Sequence, residues 1–403
     1  MNRLPLPRAI LVAAIVAGLI VSAAPVASAT FSNTPDPTWM TNGIVYAIVR
    51  SGDRIYIGGR FTAVRSCPPG QACGAGNTVK VNNVAALDAT TGAGIKTWKP
   101  AVTGDDTPIT TVYALAVMGG KIFIGGDFDE VAGVARTNFA AVDATTGVLD
   151  PNVDGAVGVS GSKSIRALVA GGSRVFAGGY FTSVDGTARI HVAAFDVDGN
   201  LATGWRPRAK GTVKSLAFDC TGATIFVGGT YAQASGTGQP YVAREDVARF
   251  DVITGAIQPW AIPEADLPNS VPVLDMAAAC DRLFLGIGGS NWLYTVDLTD
   301  DVGNALWLYK TGGNVQTVAI FGDLVVFGGH FSQVELPSGD RVKRTRFGAA
   351  DFDGNLDPWA PTFDGQFYGP WDILATGNQV WVGGRWSSVS GVPQYNLARF
   401  TDL

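Results

Sequence analysis

Short apolar strings that end in a glycine pair recur along the whole chain. Ile55-Tyr56-Ile57-Gly58-Gly59 returns as Ile122-Phe123-Ile124-Gly125-Gly126, Val175-Phe176-Ala177-Gly178-Gly179 and Ile225-Phe226-Val227-Gly228-Gly229. It returns again as Val325-Val326-Phe327-Gly328-Gly329 and Val380-Trp381-Val382-Gly383-Gly384, with a degenerate copy, Leu283-Phe284-Leu285-Gly286-Ile287. The first glycines are 67, 53, 50, 58, 42 and 55 residues apart. Before each pair stands another apolar string, such as Val112-Tyr113-Ala114-Leu115-Ala116. After it comes a third, such as Phe139-Ala140-Ala141-Val142-Asp143, closed by a Thr-Thr-Gly turn. A short fourth segment often carries tryptophan: Trp98, Trp205, Trp260, Trp307 and Trp359. None of these strings has a helical period. Four short strands per repeat of this length predict one propeller blade, and seven repeats predict an all-β, seven-bladed β-propeller with four antiparallel strands per blade. Near-continuous apolar strands fit blades stacked face to face, with the tryptophans as inter-blade core.

The two ends of the repeat array complement each other. The last copy stops after its third strand, Asn396 to Phe400, and Asp36-Pro37-Thr38-Trp39 is an orphan fourth strand ahead of the first copy. The N-terminal strand is expected to complete the last blade, so that no edge is left open.

The string IYIGGRF, followed by NNVAALDATTG and a tryptophan, resembles the delta-60 repeat β-propeller family, frequent in secreted actinobacterial proteins. The resemblance covers residues 30–403 and implies the fold; the family has no shared chemistry to carry over. Kelch-like propellers are similar at greater distance. In the fifth copy the second glycine is missing, and the shortening is expected after the third strand.

Composition adds a compartment. Arg3 and Arg8 precede an apolar run, Ala9 to Val21, and Ala27-Ser28-Ala29 offers small residues where a signal peptidase reads. Residues 1–29 are therefore expected to be a signal peptide and 30–403 a single domain, secreted from a bacterium with no membrane insertion after cleavage. Loss of the two arginines takes the net charge from −5 to −7. A mildly acidic chain has no electrostatic case for nucleic acid. The acidic residues include only four glutamates against 52 glycines in the chain, which suits strands and tight turns. Four cysteines suit an oxidising compartment. Cys67 and Cys73 are expected to close a loop within the first blade. Cys220 and Cys280 fall in equivalent turns of neighbouring blades and are expected to bridge them.

No local catalytic motif is present, and two histidines, His191 and His330, exclude a multi-histidine metal site. Asp88, Asp143, Asp196, Asp251, Asp297 and Asp351 share one position after the third strand, where a carboxylate can accept bonds from the turn backbone. Asp196 and Asp351 begin D-x-D-G-N runs, a fragment of a calcium loop without its closing acid. No cofactor is therefore expected, with calcium at these turns as the alternative.

Length variation marks one face. Strand 1–2 and 3–4 turns are short, whereas the insertions fall in the 2–3 and 4–1 connections, which leave an up-and-down blade at the same end. Two variable positions point there: the residue after the glycine pair (Arg60, Asp127, Tyr180, Thr230, His330, Arg385) and the second residue of strand one (Tyr46, Tyr113, Arg166, Lys214, Gln316, Asp372). In four blades they are 14 residues apart, which suggests that they face each other across the hairpin. They read either as local pairs, Asp372 with Arg385 for instance, or as a polar ring at the channel mouth. The candidate ligand face is Arg60, Asp127, Arg166, Tyr180, Lys214, Gln316, His330, Asp372 and Arg385. The leading reading is a monomeric, non-enzymatic scaffold that binds an extracellular polysaccharide or protein there. The alternatives are a secreted hydrolase or lyase at the channel mouth and a structural envelope component.

Overall fold

The computed structural model describes residues 30–105, 109–155, 157–158, 164–263, 271–365 and 368–402. The expected signal peptide, residues 1–29, lies outside the described residues. Among these there is no helix. The long strands form seven antiparallel sheets, here units 1 to 7 in chain order.

Each unit is an up-and-down meander. Unit 1 holds Ile44–Ser51, Arg54–Arg60 and Val84–Asp88; unit 2 holds Thr111–Met118, Lys121–Asp127 and Phe139–Asp143. Unit 3 follows with Ser164–Gly171, Arg174–Tyr180 and Val192–Phe195, and unit 4 with Arg208–Phe218, Thr224–Ser235 and Val247–Asp251. Unit 5 holds Val273–Ala278, Arg282–Ile287, Trp292–Asp297 and Ala305–Thr311. Unit 6 comprises Val315–Phe321, Leu324–Gly329 and Phe347–Asp351, and unit 7 comprises Gly369–Thr376, Gln379–Arg385 and Leu397–Thr401. Elsewhere than unit 5 the fourth strand shrinks to a single bridge, such as Leu87 with Gly94 or Val142 with Leu149.

Unit 5 corrects one expectation. It is shortened between its second and third strands, not after the third. Only residues 288–291 join those strands, whereas the other units insert a hairpin there. In unit 1 that hairpin is Ala63–Arg65 with Thr78–Lys80, and it pairs with Met40–Thr41 ahead of the first strand. The same pattern sets Glu130–Val131 against Val102–Thr103. The 2–3 and 4–1 connections therefore share one end of each sheet, by direct backbone pairing.

The glycine pair is a close-approach device. A Cβ on Gly125 would meet the Ile165 side chain of the next unit, and one on Gly126 would meet the Thr111 carbonyl of its own. The first glycine thus admits the neighbouring sheet and the second admits the strand beside it. The relation runs round to the start: a Cβ on Gly383 of unit 7 would stand 2.6 Å from Val45 Cγ1 of unit 1.

Side chains then tie each unit to the next. The fourth-segment tryptophans are buried, and their indoles donate to the turn that ends the next unit's third strand. Trp98 reaches Asp143 O at 3.0 Å, Trp205 Asp251 O at 3.2 Å, Trp260 Asp297 O at 3.1 Å and Trp307 Phe352 O at 2.8 Å. A cation repeats the link nearby: Arg54 to Thr145 O (2.7 Å), Lys121 to Val197 O (2.8 Å) and Arg174 to Val252 O (2.9 Å). Between units 4 and 5 a disulfide, Cys220–Cys280, stands at this junction, and Cys67–Cys73 closes the unit 1 insertion, both as expected. The repeated aspartates are turn caps. Asp143 accepts Thr145 and Thr146 N–H groups at 2.9 and 2.6 Å. In the D-x-D-G-N turns Asp196 and Asp351 accept their own asparagine side chains at 2.9 and 2.7 Å.

The residue before the third strand is held at positive φ: Asn83, Asn138 and Asn396 in units 1, 2 and 7, His191 in unit 3 and Asp246 in unit 4. Asn138 shows its task. Its oxygen accepts the Phe128 N–H at 3.1 Å and its nitrogen donates to Val157 O at 3.0 Å. Asp246 keeps the first bond, from Tyr231 N at 3.0 Å, and its Oδ2 is buried. Burial pushes its carboxyl up to about 7, opposed by backbone bonds from Tyr231 and Val271 and assisted by Glu245. A folded pKa above the unfolded value means that stability is full below about pH 4 and declines as pH rises towards 7. Asp246→Asn should remove this decline, so that its stability advantage over the parent grows by about 2–4 kcal/mol between pH 4 and pH 8. Urea unfolding at the two pH values measures it; a constant difference would contradict the assignment.

Candidate functional site

Every first strand carries a β-bulge opposite the glycine pair or, in unit 5, its degenerate copy. The register shifts at Val45/Ala47, Val112/Ala114, Ile165/Ala167, Val213/Ser215, Val273/Asp275, Val315/Thr317 and Pro370/Asp372. A bulge leaves one residue unpaired and re-aims its side chain. The seven bulged residues are Tyr46, Tyr113, Arg166, Lys214, Leu274, Gln316 and Trp371. All seven line one cavity of about 670 Å³, enclosed by the first strands of all seven units.

The register corrects three expectations. Trp371, not Asp372, is the unit 7 counterpart of Tyr46, and unit 5 contributes Leu274. The residue after the glycine pair lies opposite the strand's start, Arg60 against Ile44, so the 14-residue spacing does not mark a facing pair. Asp372 makes no ion pair with Arg385; its Oδ2 accepts the Ile48 N–H of unit 1 at 2.6 Å. Bulged residues stand 12 residues before the first glycine in every unit but the fourth, where the hairpin is longer. That constant spacing is the signal by which Leu274 and Trp371 were legible.

The cavity wall has two chemistries. Aromatic rings run across three units: Tyr368 to Trp371 at 6.2 Å, Trp371 to Tyr46 at 5.3 Å and Tyr46 to Tyr113 at 5.3 Å. The Arg166 guanidinium caps the arc, 3.8 Å over Tyr113, and Arg385 lies 6.0 Å over Tyr368 at the other end. Arg60 and Lys214 complete the cations. Arg166 is anchored by Asp127, 3.6 Å away and only 7% exposed. Burial pushes the Asp127 carboxyl up while Arg166 draws it down. Burial, then the charge of Arg166, lowers the Lys214 ammonium. Among the described residues, no carboxylate is at ion-pair distance from Arg60, Lys214 or Arg385. Burial and Tyr113 raise the Tyr46 phenol, while Arg60 and Arg385 pull it back, so both guanidiniums act within the arc.

Deeper in, Asp275 and Asp372 occupy the position after the bulge, where other units have Ala47, Ala114, Ala167, Ser215 and Thr317. Asp275 accepts Ser215 Oγ at 3.0 Å, Met276 N at 2.9 Å and Val318 N at 2.9 Å, which ties units 4, 5 and 6 together. Burial, then Asp275, pushes Asp372 up to about 8. These two carboxylates bridge the inner edges of adjacent first strands.

The remaining candidates separate. Arg60, Arg166, Lys214, Gln316, Asp372 and Arg385 line the cavity; Asp127 stands behind Arg166; Tyr180 and His330 lie outside it. Tyr180 is 46% exposed and stacks on His191, with centroids 5.6 Å apart. Burial, then Arg346, lowers the His330 imidazole. Gln316 is buried, and its amide is best satisfied donating to the Tyr368 and Pro370 carbonyls at 2.9 and 3.2 Å, which positions the aromatic arc. Tyr368 itself was not anticipated. It lies in a 4–1 connection, where no repeat spacing applies.

No family model matches the chain, and no curated protein matches it. Among solved structures, the WD40 β-propeller domain of Doa1 is similar at 9% identity, over 92% of this chain and 97% of that one, with a TM-score of 0.51. At that identity the likeness establishes the fold: the chain is an all-β propeller.

Proposed function

We propose that this chain is a secreted, non-enzymatic recognition scaffold of the delta-60 repeat type, with its ligand site at the cavity mouth. The ring is read as seven blades, the N-terminal strand completing the last. Two contacts support this closure: Asp36 N donates to Arg399 O at 2.8 Å, and Phe31 bridges to Asp402. The paired cysteines fit export to an oxidising compartment.

One observation carries the reading. Seven structurally equivalent bulges deliver seven side chains into one cavity, and those side chains differ in charge and size while the strands around them repeat. A repeated scaffold with a non-repeated, inward-facing set is how a rigid ring builds a single site. The deep carboxylates would be the acid–base groups of the enzymatic alternative. Both Asp275 oxygens and Asp372 Oδ2 are already hydrogen-bonded to the framework, which favours binding over catalysis.

Arrays of extracellular glycans and proteins, probed with the purified chain, test the reading. Arg166→Ala and Lys214→Ala should each weaken the recovered interaction about tenfold or more, with the fold retained by circular dichroism. His330→Ala, on the same face but outside the cavity, should have little effect. Asp53→Ala and Asn378→Ala, in strand 1–2 turns at the opposite end, should have none. Loss of binding in the last pair with retention in the first would place the site elsewhere.

A further inference from the structure

We infer that the cavity mouth takes an acidic glycan, stacking a sugar ring on the Tyr46–Tyr113–Trp371 arc and pairing its carboxylate with Lys214, Arg60 or Arg385. This rests on the mouth being the ligand site.

Two observations point to that chemistry. The arc sets ring centroids 5.3 Å apart across units 7, 1 and 2, tilted between Tyr46 and Tyr113 and edge-on between Tyr46 and Trp371, with Tyr368 43% exposed at its outer end. The negative face of an aromatic ring attracts the positively polarised C–H bonds of a pyranose, and flat amphipathic rings cost little conformational entropy to present. Next, Arg60, Lys214 and Arg385 stand in a concave, partly desolvated site without a carboxylate partner among the described residues. A desolvated, unpaired cation is costly, and a ligand carboxylate would offset that cost with charge-assisted hydrogen bonds.

The chemistry also discriminates. A neutral glycan would use the arc and leave the cations unpaired. Nucleic acid is a poor fit to a net acidic chain, and the cavity gathers only Arg60, Arg166, Lys214 and Arg385. A cavity of about 670 Å³ is of the size that encloses a few sugar residues rather than a protein surface.

Calorimetric titration of the purified chain tests this with three acidic probes: trigalacturonate, a mannuronate trimer and a glucuronate-containing tetrasaccharide. Each is compared with its methyl ester. At least one acid should bind saturably, more than about tenfold tighter than its ester, and weaken as salt is raised. Lys214→Gln and Arg385→Gln should remove the difference between acid and ester. Tyr368→Ala, at an exposed ring, should weaken acid and ester alike, and circular dichroism confirms that all three variants fold. Equal binding of acid and ester that Tyr368→Ala weakens would overturn acidic recognition and leave the mouth standing. Binding lost through Asp53→Ala or Asn378→Ala, but not through the mouth variants, would overturn the mouth as well. No saturable binding of any acid would overturn the inference, and the array comparison of the two faces would then judge the mouth on its own.

Discussion

Deletion of residues 30–40 is expected to cost at least about 5 kcal/mol and to lower the melting temperature by roughly 5–10 °C. The segment is embedded at both of its ends. Phe31 stacks on Trp359 with centroids 4.2 Å apart and meets Phe321 edge-on at 5.0 Å. The Trp359 indole donates to Ser32 O at 3.1 Å, the same bond that other tryptophans make to a following unit's turn. Asp36 pairs with Arg399 at 3.4 Å and accepts Thr401 Oγ1 at 2.5 Å. Trp39 packs over Gly94 of unit 1, and Met40 is buried. Removal exposes the apolar partners of three large side chains, each worth about 1.5–3 kcal/mol, and bares the outer edge of unit 7. Phe31→Ala should reproduce part of the loss. Differential scanning calorimetry decides: an unchanged melting temperature would mean that the N-terminal segment is a passive appendage.

The second large effect is expected from Cys220→Ser with Cys280→Ser. The bridge closes a 60-residue separation between units 4 and 5. Chain-entropy arguments give about 4 kcal/mol for a loop of that length, and about 2 kcal/mol for the Cys67–Cys73 loop, whose separation is 6. The inter-unit bridge stands where other junctions use a cation, so its loss leaves that junction to the Trp260 indole bond to Asp297 O and the Ser215–Asp275 bond. The Cys67–Cys73 bridge confines only an exposed hairpin tip, and its removal should alter global unfolding far less than its nominal value. Guanidinium unfolding of the two double variants separates them. Equal midpoints for parent and Cys220→Ser/Cys280→Ser would show that the junction holds without the bridge.

The repeat, the strand order within it, the buried tryptophans, the aspartate caps and both cysteine pairings were legible in the sequence. Each depends on residues close in the chain or on one position compared across copies. The site was legible in part. Variable residues on a repeating background mark the inner wall, and Arg60, Arg166, Lys214 and Arg385 were found that way. Asp372 reads as the equivalent of Tyr46 from its place in strand one, one residue off the 12-residue spacing to the first glycine that all units but the fourth keep. Trp371 was missed for the same reason, and Leu274 was missed because its copy is degenerate. The repeated basic residue two positions before the left-handed one also escaped notice. Arg136, Arg244 and Arg344 each reach carbonyls 13 to 17 residues onward, such as Arg244 to Gln258 O at 2.9 Å.

Local chemistry therefore settled what the strands are: near-continuous apolar runs, turn caps and glycine pairs act over a few residues, and repetition multiplies a weak signal sevenfold. Which side chains meet is a different matter. Tyr368, Trp371, Tyr46, Tyr113 and Arg166 come from both ends and the middle of the chain, and they touch because unit 7 packs against unit 1 and because each bulge turns one side chain inward. Asp127 becomes the anchor of Arg166 rather than a ligand group because the next sheet brings that guanidinium to it. Such contacts depend on register and on the angle between sheets, which arise from the packing of whole units and are written in no single stretch of sequence.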